Sequence, residues 1–592
     1  MNAETKTCQN CKSQFTIEPE DFDFYKRIAV PPPTWCPECR MIRRLSYRNE
    51  RSFHRRTCNA PGHTEEIISI YDASDTSPVY DYEYWWGDTW DPLAYGAQYD
   101  FGKDFFSQWR DLRNRVPRLA LSNARAVNSE YCNVNDKSKD CYMISAAYEN
   151  EHVLYSNRVS YSKDSADCYI LNKGELCYGN VACTDSYRLL FSIRSKNCTN
   201  SAFLYDCDNC QDCFGCANLR NKRFCLFNKQ FTKEEFLKQS KQFDLRSFLA
   251  IERAASRFRE LSARAIHRHA TLISTVDSTG DNLSQCKHCR DCFDFVKAEE
   301  CKFCNWGGFV IKDSYDANGV GDVSELVYET FDEVRGSRIL FSSVVYDSHD
   351  VAYSMNCYNS NNLFGCVGLR KKQYCILNRQ YSKEEYESLI PKIIAHMHAQ
   401  PYRDGRGLAY AYGEFFPPEL STFGYNETVA HDLVRMTQKE ARALGFQWRE
   451  SSERDYVISI QAAQLPDDLD RVKDSITKEV IGCNHGGKCD DQCTAAFRII
   501  PDELRLHRNL GVALPRLCFN CRHHARLCER NPLKLWHRRC RCAGTKSEAN
   551  IYLNTTDHFH GAEHCPNEFE TSYAPDRPEI IYCEQCYQAE VV

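Results

Sequence analysis

A mixed, β-rich fold is predicted: cysteine-knuckle ends flanking a duplicated, cysteine-rich parallel β-solenoid with helical insertions. Three observations predict it. Paired cysteine knuckles recur near both termini. A block beginning at Asp206 returns at Asn356, an offset of 150 residues. Between these landmarks, short apolar runs such as CYMI, CYIL and YCIL alternate with turns of Asn, Asp, Ser and Gly, the pattern of coils that bury their faces only against neighbouring coils.

The chain of 592 residues is too long for one core and implies several domains. It carries 35 cysteines and a net charge of −6. It has neither a long apolar run nor a basic-then-apolar leader, so no membrane association and a cytoplasmic location are expected. Thiols there stay reduced and serve as ligands or as packing. The acidic balance argues against general polyanion binding, although a local basic face remains compatible with it.

The first element, residues 1–57, is read as a ribbon plus a basic helix. Cys8, Cys11, Cys36 and Cys39 form two CxxC knuckles separated by a hairpin-length insert. Four thiolates so placed suit a tetrahedral zinc ion. Residues 481–539 repeat the element with Cys489, Cys493, Cys518 and Cys521, and Cys483 is an alternative to Cys489. Phe15, Ile17 and Pro19 match Phe497, Ile499 and Pro501, which marks an internal duplication.

Each ribbon is followed by a second one. The terminal ribbon, residues 540–592, offers Cys565, Cys583 and Cys586, with Cys542 as the fourth ligand and Cys540 or His560 as alternatives. Its counterpart at 58–105 aligns on Tyr71 and Tyr80, which places His63, Asp81 and Tyr84 where the terminal ribbon has cysteines. Only Cys58 remains a thiol, aromatic packing is expected to replace the metal, and a Cys58/His63/Asp81 site is expected to be empty. Three structural zinc ions are therefore expected.

Arg40, Arg44 and Arg48 follow the first ribbon at four-residue steps, and Arg522, Arg526 and Arg530 follow its duplicate. On helices these would form cationic stripes, read either as contacts to nucleic-acid phosphate or as faces paired with acidic neighbours.

The middle is divided into a first solenoid half at 106–231, a helical insertion at 232–275, and a second half at 276–381. A helical and aromatic connector follows at 382–480. The run CDNCQDCFGC at 207–216 is the test of what the central cysteines do. Cys207, Cys216 and Cys225 recur as Cys357, Cys366 and Cys375, whereas Cys210 and Cys213 become Ser360 and Leu363. A cluster built on the run would lose half its ligands in the second copy, so packing is the expected role, with an iron–sulfur site the alternative. Cys286, Cys289, Cys301 and Cys304 form a further candidate metal group. Matching capping boxes open helices at Thr232 and Ser382.

The blocks PEDFDFYKR and PPPTWCPECR, FGCVGLRKKQYCILNRQYSKEEY, YGEFFPPELSTFGYNETVA and YCEQCYQAEV together resemble a family of multi-zinc-ribbon proteins of uncultivated small-genome bacteria and large DNA viruses. The resemblance spans nearly the whole chain. It implies zinc-ribbon ends and a repetitive centre, and no particular activity; relatives tend to have cysteines at the positions of Asp81 and Tyr84. The function expected is that of a non-enzymatic zinc-binding scaffold or interaction protein, with protein or nucleic acid as partner. The alternative is an enzyme working in a groove of the solenoid, for example on a polysaccharide.

Overall fold

The computed structural model describes residues 2–450 and 456–592. The chain forms two compact units: Met1–Leu121 with Ala270–Glu450 and Leu533–Leu535, and Ser122–His269 with Ser451–Pro532 and Trp536–Val592. The N-terminal ribbons thus join the second half of the middle, and the C-terminal ribbons join the first. The segment read as one connector, 382–480, is divided between the two units at 450/451.

Each unit is β-rich, with few helices, and is built around a closed parallel β-tube. In the unit holding 122–269, strands pair with the chain twelve residues onward, as in Asn133 with Ser145, Tyr169 with Val181 and Ala202 with Phe214. A chain can pair in parallel with itself at that interval only by completing a turn every twelve residues. Every third side chain points inward: Cys198, Ser201, Leu204, Cys207, Cys210, Cys213 and Cys216 are all buried. The residue before each inward one is left-handed, for example Asn197, Asn200, Phe203, Asp206, Asn209 and Asp212, with φ between 48° and 56°. Four three-residue sides with a left-handed corner between them close the turn. That conformation is costly outside Gly, Asn and Asp, and the continuous hydrogen-bonded ladder holds it in place.

The tube of the other unit uses the same step, Phe293 with Asn305 and His349 with Asn361, except that its first coil pairs at eleven, as in Leu272 with Leu283, and a bulge near Val296 and Ala298 lengthens the interval to thirteen, as in Tyr315 with Tyr328. Both tubes end in a short antiparallel hairpin, Cys225 with Gln230 and Cys375 with Gln380. The expected capped helices follow, at Lys233–Ser240 and Lys383–Ala399. The first tube begins later than position 106, because Phe105–Arg115 is a helix whose Phe105, Phe106 and Trp109 enter the core of the other unit.

The basic helices are shorter than the arginine spacing suggests. They span Pro37–Leu45 and Phe519–Cys528, so Arg48 and Arg530 lie beyond them.

Candidate metal centres

The ribbons place their ligands by a shared device. A helix begins at the third ligand and carries the fourth in its first turn, and the third ligand's backbone N–H donates to the sulfur of the first. In the N-terminal ribbon the helix starts after Cys36, and the Cys36 N–H reaches the Cys8 Sγ at 3.2 Å. Cys11 lies 3.7 Å from Cys36, and the Asn10 amide donates to Cys39 at 3.3 Å. A zinc ion about 2.3 Å from each sulfur would separate tetrahedral ligands by roughly 3.8 Å, which is the spacing found. Cys8, Cys11, Cys36 and Cys39 together could hold a metal ion.

In the duplicate ribbon the tetrad is Cys483, Cys493, Cys518 and Cys521. The Cys518 N–H donates to Cys483 at 3.3 Å, Cys518 and Cys521 lie 3.5 Å apart, and Cys518 and Cys493 lie 3.9 Å apart. Cys489, expected as the first ligand, lies outside this group, and its alternative Cys483 takes that position. The chain leaves the strand at Cys483 and makes a long excursion before Cys493, so the tight knuckle is opened into a loop. Cys489 sits instead beside His485 and Asp491, 3.6 Å from Cys521.

The terminal tetrad is Cys540, Cys565, Cys583 and Cys586. The Cys583 N–H donates to Cys540 at 3.2 Å, and Cys565 lies 3.8 Å from Cys583. The position expected of Cys542 is thus taken by Cys540, two residues earlier, at the end of the strand Trp536–Arg539. Cys542 belongs to an adjoining group with His558, His560 and Cys586.

In every tetrad hydrogen bonds from neighbouring thiols push one sulfur well below the usual thiol range. Cys36 and Cys39 do this to Cys8, Cys483 and Cys521 to Cys518, and Cys540 and Cys586 to Cys583. The same hydrogen bonds push the partner thiols Cys39, Cys521 and Cys586 well above that range.

The degenerate ribbon keeps the same frame. The Asp81 N–H donates to Cys58 at 3.4 Å, while Cys58 lies 3.3 Å from the Asp81 carboxylate and 3.6 Å from His63. Tyr84 occupies the fourth position, its ring edge-on to His63 and to Tyr80. Asp81 also caps the helix Tyr82–Trp86 by accepting from the Tyr84 N–H at 2.9 Å.

The central cysteines face inward. Cys207, Cys210, Cys213 and Cys216 occupy successive sides of the tube, and their thiols reach backbone carbonyls. Cys286, Cys289, Cys292, Cys301 and Cys304 do the same in the other tube. Burial pushes Cys132 up to about 12 and Cys177 to about 11, whereas hydrogen bonds from neighbouring thiols hold Cys210 and Cys289 well below the usual thiol range.

The arginines read as phosphate contacts are turned inward. Arg40 and Arg44, at most 1% exposed, both bind Asp316, at 2.7 and 3.2 Å. Arg44 also reaches Glu329, as does Arg43, which the stripe pattern missed. Arg48 is buried against Asp332. In the other unit Arg522 and Arg526 grip Asp167 at 2.6 and 2.7 Å, and Arg530 donates to the Tyr169 hydroxyl at 2.9 Å. Buried guanidinium groups need such partners, and once paired they offer no fork to a phosphate.

No family model and no curated protein matches the chain. Among solved structures, one of a protein provisionally named an acetyltransferase, from Desulfovibrio desulfuricans G20, shares 12% identity over 49% of this chain and 86% of its own. Its TM-score of 0.09 is too low to bear on fold or function. Among the described residues no helix is long and apolar enough to cross a membrane.

Proposed function

We propose that this protein is a non-enzymatic scaffold in which zinc ions staple ribbon modules onto two β-solenoids, as the multi-zinc-ribbon resemblance implies. The observation that carries the reading is the threefold repetition of one closed four-sulfur arrangement. A closed tetrad stabilises its fold and leaves no position for a reacting water. The twelve-residue pairing interval and three-residue inward period support the solenoid reading of the tubes.

The partner is read as protein rather than nucleic acid, because the arginines that favoured phosphate are spent on Asp316, Glu329 and Asp167. An enzyme acting on a tube groove has less support. Most of the charges that line the cavity of about 410 Å³ beside the second tube are already in pairs, among them Arg27 with Asp313, Arg290 with Asp277 and His288 with Glu300.

Metal analysis of the purified full chain tests the reading: zinc in at least three equivalents and no stoichiometric iron is the expected result. Metal-free folded protein, or iron in proportion to chain, would refute it. Partners that survive nuclease treatment in a pull-down support a protein scaffold, and their loss restores the nucleic-acid reading.

A further inference from the structure

We infer that the terminal ribbon holds two metal ions rather than one, with the Cys586 thiolate bridging the four-cysteine site and a second site made of Cys542, His558, His560 and Cys586. The inference rests on reading the tetrads as metal sites and goes beyond it.

The second group has the spacing of a coordination shell. Cys542 Sγ and His558 Nδ1 are 3.6 Å apart, His560 Nε2 and Cys586 Sγ are 3.3 Å apart, and all four donor atoms lie within 4.8 Å of one another. Tetrahedral zinc at about 2.1 Å from nitrogen and 2.3 Å from sulfur gives ligand separations of roughly 3.4–3.8 Å. Cys586 belongs to both groups, so it is the one atom through which two ions would be linked.

The outer partners point the same way. A metal-bound histidine usually donates its far ring nitrogen to a carboxylate or carbonyl, which fixes the tautomer and aims the ligand. His558 directs Nδ1 at Cys542 and Nε2 at the Glu590 carboxylate, 3.1 Å away, with both side chains at most 1% exposed. His560 directs Nε2 at Cys586 and donates from Nδ1 to the Glu563 carbonyl at 2.8 Å. Glu590 is itself fixed by the N–H groups of Thr555 and Thr556. The Cys542 sulfur accepts from the Asn554 amide at 3.2 Å, and Asn554 is oriented by the Tyr582 hydroxyl at 2.7 Å. Packing alone does not require two histidines, each with one nitrogen facing a thiol and the other anchored.

Charge favours the pair as well. One divalent ion in a four-thiolate site leaves a net charge of about −2. Two ions among five thiolates and two neutral imidazoles leave about −1, with every ion four-coordinate.

The test is zinc content per chain in the full-length protein. The double variant Cys542→Ser, His560→Gln is expected to lose one equivalent relative to the wild type, and Cys586→Ser to lose two. An unchanged content in the double variant overturns the inference. Should Cys586→Ser fail to fold, zinc-edge anomalous diffraction from wild-type crystals decides: two peaks roughly 3.5–4 Å apart on either side of the Cys586 sulfur are expected. One peak there overturns the second ion while leaving the scaffold reading intact. Absence of zinc from the Cys8 tetrad as well would mark the failure of that reading instead.

Discussion

The ribbons at residues 58–121 and 540–592 are two outcomes of one design. Both place a backbone N–H on the sulfur of the first ligand, from Asp81 to Cys58 and from Cys583 to Cys540. Both start a short helix at that point. In the terminal ribbon the four positions are sulfurs, and further donors surround them. In the other, one Asp81 carboxylate oxygen caps the helix while the second faces Cys58 and His63, Tyr84 fills the fourth position, and Trp85 is buried among Tyr80, Leu119 and Tyr358. The difference teaches that the ribbon frame is kept where its ligand positions have changed and aromatic burial is added. A Trp or Tyr side chain buries up to 150–250 Å², enough to offset several kcal/mol of lost coordination.

The largest effect that would break this comparison comes from chelation. Structural zinc contributes on the order of 10 kcal/mol to the folding of small modules. Removing metal should raise amide exchange by orders of magnitude across residues 481–592 and around the Cys8 tetrad, while residues 54–120 keep their protection. Equal loss of protection in residues 54–120 would show that the degenerate ribbon still depends on an ion.

The arginine clamps allow a second comparison, because each unit sets two arginines against one aspartate, Asp167 or Asp316. Replacing Asp167 with Leu leaves two buried guanidinium groups short of a partner and should cost about 3–5 kcal/mol in denaturant unfolding. Burial alone would raise the Asp167 carboxyl, but Arg522 and Arg526 hold it below the usual carboxylate range. Its contribution is therefore present above the unfolded-state pKa and lost as pH falls through the folded one. D167L should accordingly abolish part of the acid destabilisation seen in wild type. A variant that melts like wild type would return these helices to the class of exposed basic faces.

Among the inward positions at which the tubes differ is that of Cys183 in the first, which corresponds to Glu333 in the second. Burial pushes the Glu333 carboxyl up to about 8, the Ser324 hydroxyl offsetting only part of this. Between its ordinary value of 4.5 and about 8 the unfolded chain has released this proton and the folded chain retains it, so stability falls as pH rises through that window. Glu333→Cys, which copies the first tube, should gain about 3 kcal/mol at pH 7 and flatten the slope. An unchanged pH–stability curve would mean that the carboxyl reaches water.

What the sequence made legible follows from how local each signal is. Cys8–Cys39 stood out because the CxxC knuckles carry their own geometry. The helix-borne pairs Cys518/Cys521 and Cys583/Cys586 stood out for the same reason. Cys483 and Cys540 did not, since long excursions separate each from its second ligand and spacing then carries no information. The end of a strand just before the excursion was the available signal. Cysteines nine residues apart suggested coils, yet the more informative period was three: from Cys132 to Cys225 every third position is Ser, Cys, Asn, Leu or Val, apart from Ile144, Ala147, Gly174 and Lys222. The arginine spacing showed a stripe but not its partner, because Asp167 and Asp316 lie hundreds of residues away and only the folded tubes bring them to the helices.

The smallest predicted effect separates packing cysteines from ligands. Cys216 and Cys366 are inward residues at equivalent places in the two tubes, and each thiol donates to a backbone carbonyl at 3.3 Å, of Phe214 and of Cys375 respectively. Alanine at either site removes one buried sulfur and a weak hydrogen bond. The carbonyls remain engaged in or near the ladder, so no strongly polar group is stranded. The expected cost is on the order of 1 kcal/mol, read as a small shift of the unfolding midpoint, with zinc content unchanged. Cys39→Ala provides the contrast, since trimming a buried ligand should remove one equivalent of zinc and destabilise its ribbon severely. Zinc lost in proportion to Cys216→Ala or Cys366→Ala would mean that the tubes, and not only the ribbons, are held together by metal.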